Sequence, residues 1–187
     1  MRAIKPLLFV ICLLPLVRAV WIVASGAAVN PIEFILRSTG TWTLVWLLVT
    51  LSITPLRQIT GINSLIRYRR MLGLFSFFYV VLHFSIWAGL EHFGDVMEML
   101  KDIYKRPFIT VGFSAFLMLL ALAITSTNGW MRRLKRNWTR LHRLIYPAAI
   151  LAVLHYWWLV KLDITQPAIY AVVLALLLSW RIWWWLK

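Results

Sequence analysis

The chain has 187 residues, of which 62% are apolar and only 14% charged, and its mean hydropathy is +0.80. A soluble domain is about half apolar and a quarter charged, and no compact globule of this size could hide so much hydrocarbon, so a soluble enzyme, a disordered tail and a disulfide scaffold are excluded, the last also because Cys12 is the single cysteine. A formal charge of +14 would suggest nucleic acid in a soluble chain, but here the charge lies between hydrophobic segments and reports membrane orientation.

The apolar segments are residues 7–24, 38–54, 71–90, 108–125, 141–160 and 167–186. Each approaches the roughly 20 residues that a helix needs to cross a bilayer core of about 30 Å. The first has the basic start of a signal peptide in Arg2 and Lys5, with small residues at 24–28. Arg18 interrupts its apolar run and apolar residues continue beyond it, so a retained signal anchor is expected. Asn30-Pro31 reads as a turn before the second segment. Pro55 is expected to close that segment, because proline disfavours helix in the residue before it. Thr60-Gly61 and Asn128-Gly129 also read as turns, and Pro107 and Pro167 suit a first helical turn.

No connecting stretch is long enough for a soluble domain, and neither an internal sequence repeat nor a low-complexity tract is evident. The expected fold class is an all-α integral membrane protein: a six-transmembrane-helix bundle forming a single domain over residues 1–187.

Assigning the loops to alternate sides partitions the charge. One side receives Arg2, Lys5, Arg57, Arg67, Arg69, Arg70, Arg132, Arg133, Lys135, Arg136, Arg140, Arg143, Arg181 and Lys187, and no acid. The other receives every acid, Glu33, Glu91, Asp95, Glu98, Asp102 and Asp163, together with Arg37, Lys101, Lys105, Arg106 and Lys161. The positive-inside rule then puts both termini in the cytoplasm. The basic surface faces an anionic leaflet, and no nucleic-acid partner is needed. Trp130, Trp138 and Trp183 to Trp185 fall at one boundary, and Trp21, Trp42, Trp87, Trp157 and Trp158 toward the other, as interfacial anchors do.

His92 follows Glu91 in a loop and reads as solvated. His83, His142 and His155 lie in or beside apolar segments, where ionisable groups are costly and mark function. His83 lies about 18 Å and His155 about 21 Å from the basic end of their segments at 1.5 Å per residue. Two neutral imidazoles at matched depth on different helices can clamp one flat metal macrocycle, and haem is the cofactor that needs this. Gly73, Ser76, Ser85 and Gly89 either admit the macrocycle or serve close helix packing. His142, about 20 Å of rise from His155, could place a second centre near the cytoplasmic face. A straight helix points those two rings apart, although Pro147 between them offers a kink, and Arg70 rather than histidine stands at the same spacing before His83. Zinc lacks a tetrahedral ligand set, and covalent haem lacks its Cys-x-x-Cys-His. The rival readings are histidines that only bond across helices, or that relay protons in a haem-free transporter.

Several motifs carry a resemblance: Ile53-Thr54-Pro55-Leu56, Ile66-Arg67-Tyr68-Arg69-Arg70-Met71-Leu72-Gly73-Leu74, Leu82-His83, Arg106-Pro107-Phe108, Thr125-Ser126-Thr127, Trp138-Thr139-Arg140-Leu141-His142, and His155-Tyr156 followed by Lys161. Over nearly its whole length the chain resembles the MsrQ (YedZ) family, haem-binding membrane subunits of a periplasmic methionine sulfoxide reductase system. That family falls within the ferric-reductase-like transmembrane group, which includes NADPH oxidases.

The resemblance implies haem b, in one or two copies, with His83, His142 and His155 matching the family's iron ligands, and it brings FMN as a further cofactor. It implies a multi-pass protein of the bacterial inner membrane. Such a protein passes electrons from the quinone pool, or from a cytoplasmic flavin reductase, to a periplasmic MsrP-type molybdopterin reductase that repairs oxidised periplasmic proteins. The chain has no Gly-x-Gly-x-x-Gly, so its electrons are expected from another molecule. A non-catalytic electron-transfer subunit is therefore expected, with a transmembrane ferric or cupric reductase as the redox alternative.

Overall fold

The computed structural model describes residues 4–160 and 162–187, and all regular structure among them is helical. Arg2 and Lys161, two of the charges behind the expected orientation, lie outside the described residues. The α-helices are α1 (Ile4–Ala24), α2 (Pro31–Thr60), α3 (Ile66–Ile86), α4 (Val96–Lys105), α5 (Pro107–Ile124), α6 (Asn128–Leu134), α7 (Arg136–Leu141), α8 (Ile145–Leu159) and α9 (Thr165–Leu186). Five stretches are long and apolar enough to cross a membrane: Ile4–Ala24, Pro31–Thr60, Asn63–Glu91, Pro107–Ile124 and Thr165–Leu186. The fifth predicted segment is divided. A 3₁₀ turn at His142–Leu144 separates α7 from α8, which keeps 15 residues.

Two antiparallel pairs, α2 with α3 and α5 with α8, make the centre of the bundle. α1 rests on α2 and α3, and α9 on α8 and α2. Leu47 and Leu51 of α2 are fully buried, as are Ala148 and Ala149 of α8. The two alanines belong to the same core cluster as Leu47 and Leu51, where small side chains let helices approach closely. Between the pairs, Phe84 on α3 stacks on Phe116 of α5 with ring centroids 4.6 Å apart.

Several hydroxyls inside the bundle are satisfied locally. Thr39, Thr43 and Thr50 donate their hydroxyls to carbonyls one turn back, those of Ile35, Thr39 and Trp46, which removes the cost of burying them. Ser76 donates to the Thr43 carbonyl at 2.9 Å, and Gly73 lies against the Thr50 methyl. These two small residues therefore serve helix packing and open no slot. Ser85 and Gly89 are exposed.

Pro55 and Pro147 behave differently from the expectation, and a third proline lies inside α1. α2 does not end at Pro55 but runs on to Thr60, where Gly61 closes it at φ 72°. Pro55 has no N–H to offer the Leu51 carbonyl. Arg181 of α9 takes the place of that N–H, donating from Nη2 to Leu51 at 2.8 Å. This is how a proline is accommodated inside a membrane helix. α1 contains Pro15. There the Tyr79 hydroxyl of α3 sits in the helical ladder, donating to the Cys12 carbonyl at 2.8 Å and accepting from the Leu16 N–H at 3.2 Å. A side chain inserted into the ladder is a recognised cause of helix bending. Pro147 stands in the first turn of α8, where its missing N–H is harmless. The α-helix is interrupted at the 3₁₀ turn before it. Asn128-Gly129 likewise opens α6 instead of forming a free turn, with Thr127 as its cap.

The connection after α3 is structured as well. A π-helical turn at Trp87–Glu91 leads through Phe93 and Gly94, both at positive φ, into the amphipathic α4. His92 is not solvated. Its side chain is 14% exposed, 3.2 Å from Asp102 and edge-on to Trp87.

Candidate functional site

Of the three histidines singled out, the fold brings two together. The rings of His83 and His155 have centroids 6.3 Å apart and planes inclined at 79°. His83 projects from α3 and His155 from α8, one from each helix pair. Each is fixed in the same manner. The Nδ1–H of His83 donates to the Leu36 carbonyl of α2 at 2.9 Å, and that of His155 to the Phe108 carbonyl of α5 at 2.7 Å. A carbonyl on Nδ1 selects the tautomer whose Nε2 carries the free lone pair, and it raises the basicity of that nitrogen as a ligand.

A glycine makes room for each ring. A Cβ on Gly40 would lie 3.0 Å from His83, and one on Gly112 would lie 2.6 Å from His155. Both glycines are interior to helices, where glycine costs about 1 kcal/mol relative to alanine.

The two half-sites have one design. In each, the histidine follows its carbonyl partner by 47 residues, and the glycine stands one helical turn after that carbonyl. A shift of 72 residues carries Leu36, Gly40 and His83 onto Phe108, Gly112 and His155. The same shift carries buried Leu47 onto Leu119 and buried Ser76 onto Ala148. The chain thus holds an internal structural repeat that the sequence did not reveal, because most matched positions differ in residue type. Gly40, Gly112 and the two carbonyls are the site components missed in the sequence. The signal that could have found them is the equal Gly-to-His spacing.

His142 is set apart. Its Nε2 lies 3.2 Å from the Thr125 hydroxyl, and its ring stacks on Trp138 at 3.9 Å. Trp138 is held in turn by its indole N–H on the Thr125 carbonyl at 2.9 Å. The 72-residue shift places Arg70 opposite His142, so the repeat carries an imidazole at this level in one half only.

The paired site fits an iron macrocycle. A metal–imidazole bond is about 2 Å, and adding the distance from nitrogen to ring centre on both sides gives a separation of roughly 6 Å. Both histidines are half-buried between packed helices. No group of three or more His, Cys, Asp or Glu side chains is placed to hold a bare metal ion among the described residues.

Fold and site define an all-helical, multi-pass membrane bundle with a paired-imidazole centre. In keeping with that class, a family model described as ferric reductase like transmembrane component matches residues 39–153, from α2 into α8. The curated "Protein-methionine-sulfoxide reductase heme-binding subunit MsrQ" of Bordetella pertussis is 55% identical over 186 residues, covering 97% of this chain and 90% of that one. Proteins of the same name from Xanthomonas campestris pv. campestris (59% over 160 residues, 86% and 72%) and Xanthomonas axonopodis pv. citri (57% over 165 residues, 88% and 76%) are also similar. The chain belongs to the MsrQ family. No solved structure matches it.

Proposed function

We propose that the chain is the transmembrane electron-transfer subunit of a protein-methionine-sulfoxide reductase system, with haem b held between His83 and His155. The observation that carries this reading is the 6.3 Å separation of two imidazoles whose Nδ1 atoms are both anchored on carbonyls. The haem would supply a one-electron carrier in the low-dielectric core, where no side chain of this protein can carry one reversibly. His83 and His155 would hold its iron through their Nε2 atoms. Leu36 and Phe108 hold the ring orientations, and Gly40 and Gly112 leave the rings their places. His142 supplies a single imidazole for a second centre nearer the basic end. No residue is assigned to FMN.

The basic end faces the cytoplasm in this reading, with both termini there, because no acid accompanies its cations. α8 serves as the sixth span. Its 15 residues rise about 22 Å, and the 3₁₀ turn before it adds about 6 Å. Electrons enter from the quinone pool or a cytoplasmic flavin reductase. They leave to a periplasmic MsrP-type molybdopterin reductase docked at the outer connection, residues 91–105, where both charge signs are present.

Absorption spectroscopy of the purified protein tests this reading. A reducible low-spin b-type spectrum is expected, and His83→Ala or His155→Ala should each abolish it. An unchanged spectrum in both variants would overturn the ligand assignment. Haem-free protein would favour proton relay, and ferric-chelate reduction by cells lacking the soluble partner would favour a terminal metal reductase.

A further inference from the structure

α1 and α3 run in the same direction. Phe9 meets the ring of Phe75 edge-on at 5.0 Å, and the Cys12 carbonyl accepts from Tyr79 at 2.8 Å. These contacts join residues 66 and 67 positions apart, which brings Lys5 level with Arg70. Alongside them the two helices leave an open groove of about 470 Å³, within the range of ligand clefts, about 300–1,000 Å³. Phe9 of α1 and Leu74, Phe75 and Phe78 of α3 give it an apolar wall, and Lys5, Arg67 and Arg70 stand together at its basic end. Arg70 is held by donating Nη1 to the side-chain carbonyl of Asn128 at 2.7 Å. The groove is separate from the histidines. At 100° per residue, its stripe on α3 is turned roughly 150° from His83. Its other wall, α1, packs on α2 and α3, whereas His142 lies against Thr125 and Trp138. No acidic or imidazole side chain among the described residues lines it.

We infer that this groove holds one anionic phospholipid, with its phosphate at Lys5, Arg67 and Arg70 and an acyl chain along Phe9, Leu74, Phe75 and Phe78. Charge and length identify the occupant. The cations stand at one end of an apolar trough, in the order of a lipid with its charged head at the leaflet boundary and hydrocarbon beneath. From Arg67 to Phe78 the helix rises about 16 Å, and half of a bilayer core of about 30 Å is a single leaflet. Guanidinium forks match phosphate oxygens in two-pronged geometry. A zwitterionic headgroup brings its own cation, which these three repel. A quinol placed here would need a group to take its protons on oxidation, and the lining offers neither carboxylate nor imidazole. The inference does not depend on haem.

Native mass spectrometry of the full chain in detergent, titrated with phosphatidylglycerol and with phosphatidylcholine, tests it. The first phosphatidylglycerol is expected to bind more tightly than phosphatidylcholine. Lys5→Gln and Arg70→Gln should each weaken its binding roughly five-fold, whereas Arg136→Gln, on α7 at the same end of the bundle, should leave it unchanged. Arg70→Gln also unmakes the Asn128 contact. Lys5 is exposed near the start of α1, so Lys5→Gln reads the charge without that disturbance. Leu74→Trp, which fills the trough and alters no charge, should weaken binding as well. Equal affinity of the wild type for both lipids, or unchanged binding in Lys5→Gln and Arg70→Gln alike, would overturn the proposal. Full binding in Leu74→Trp beside weakened binding in the charge variants would also overturn it, because the lipid would then rest on surface cations with its chains outside the groove.

Discussion

A Cβ on Gly112 would stand 2.6 Å from the Nδ1 of His155, the same nitrogen that donates to the Phe108 carbonyl. No real Cβ approaches so close, so alanine at 112 must push the imidazole off its carbonyl. Gly40 stands in the same relation to His83, but its nearest approach is 3.0 Å, to Cε1. Alanine would favour both helices by about 1 kcal/mol, and the chain forgoes that gain at the two positions that face the rings. Gly112→Ala should therefore lose most of the bound haem and Gly40→Ala a smaller share. Gly89→Ala, with nothing within 4 Å of its Cβ, should lose none. The ratio of Soret absorbance to protein reads this order, and full loading of Gly112→Ala would contradict it.

His142 is bonded to Thr125 and stacked on Trp138, away from the paired rings. Its replacement by alanine should leave a bis-imidazole spectrum intact and remove any second centre. Pyridine haemochrome quantification beside electron paramagnetic resonance measures both. Complete loss of haem in His142→Ala would reverse the ranking of ligands drawn from the geometry.

The Tyr79 hydroxyl occupies the place of the helical bond between Leu16 and Cys12. Tyr79→Phe leaves a buried N–H and a buried carbonyl without their partner, a loss of about 1–3 kcal/mol. Thermal unfolding in detergent should show a lower midpoint. An unchanged midpoint would mean that α1 straightens and closes its own ladder.

Arg181 and Pro55 should be energetically coupled through the Leu51 carbonyl. Pro55→Ala restores an N–H that can reach that oxygen, so Arg181→Gln should cost less in the alanine background than in the wild type. A double-mutant cycle on unfolding stability should return a coupling of about 0.5–3 kcal/mol, as for residues sharing one network. Additive effects would show that Leu51 gains nothing from the guanidinium.

Much of the site was legible in one dimension. Depth in a membrane helix is a running sum of 1.5 Å steps, so the matched levels of His83 and His155 follow from their distances to the segment ends. Charge partition is also additive along the chain, which is why the basic and acidic ends were separable before any fold was known. The continuation of α2 through Pro55 was not legible, because the group that makes it tolerable, Arg181, comes from the far end of the chain.

The amino-acid sequence by itself determined that this chain is a bundle of apolar helices with one basic end and two imidazoles at one level, since length, hydropathy and rise are local properties. Only the tertiary structure decided which histidines face each other. It set His142 aside on Trp138 and matched Gly40 and Gly112 to the rings. Azimuth and side-chain direction depend on how helices cross and which neighbours they meet, and residues far apart in the chain settle those jointly.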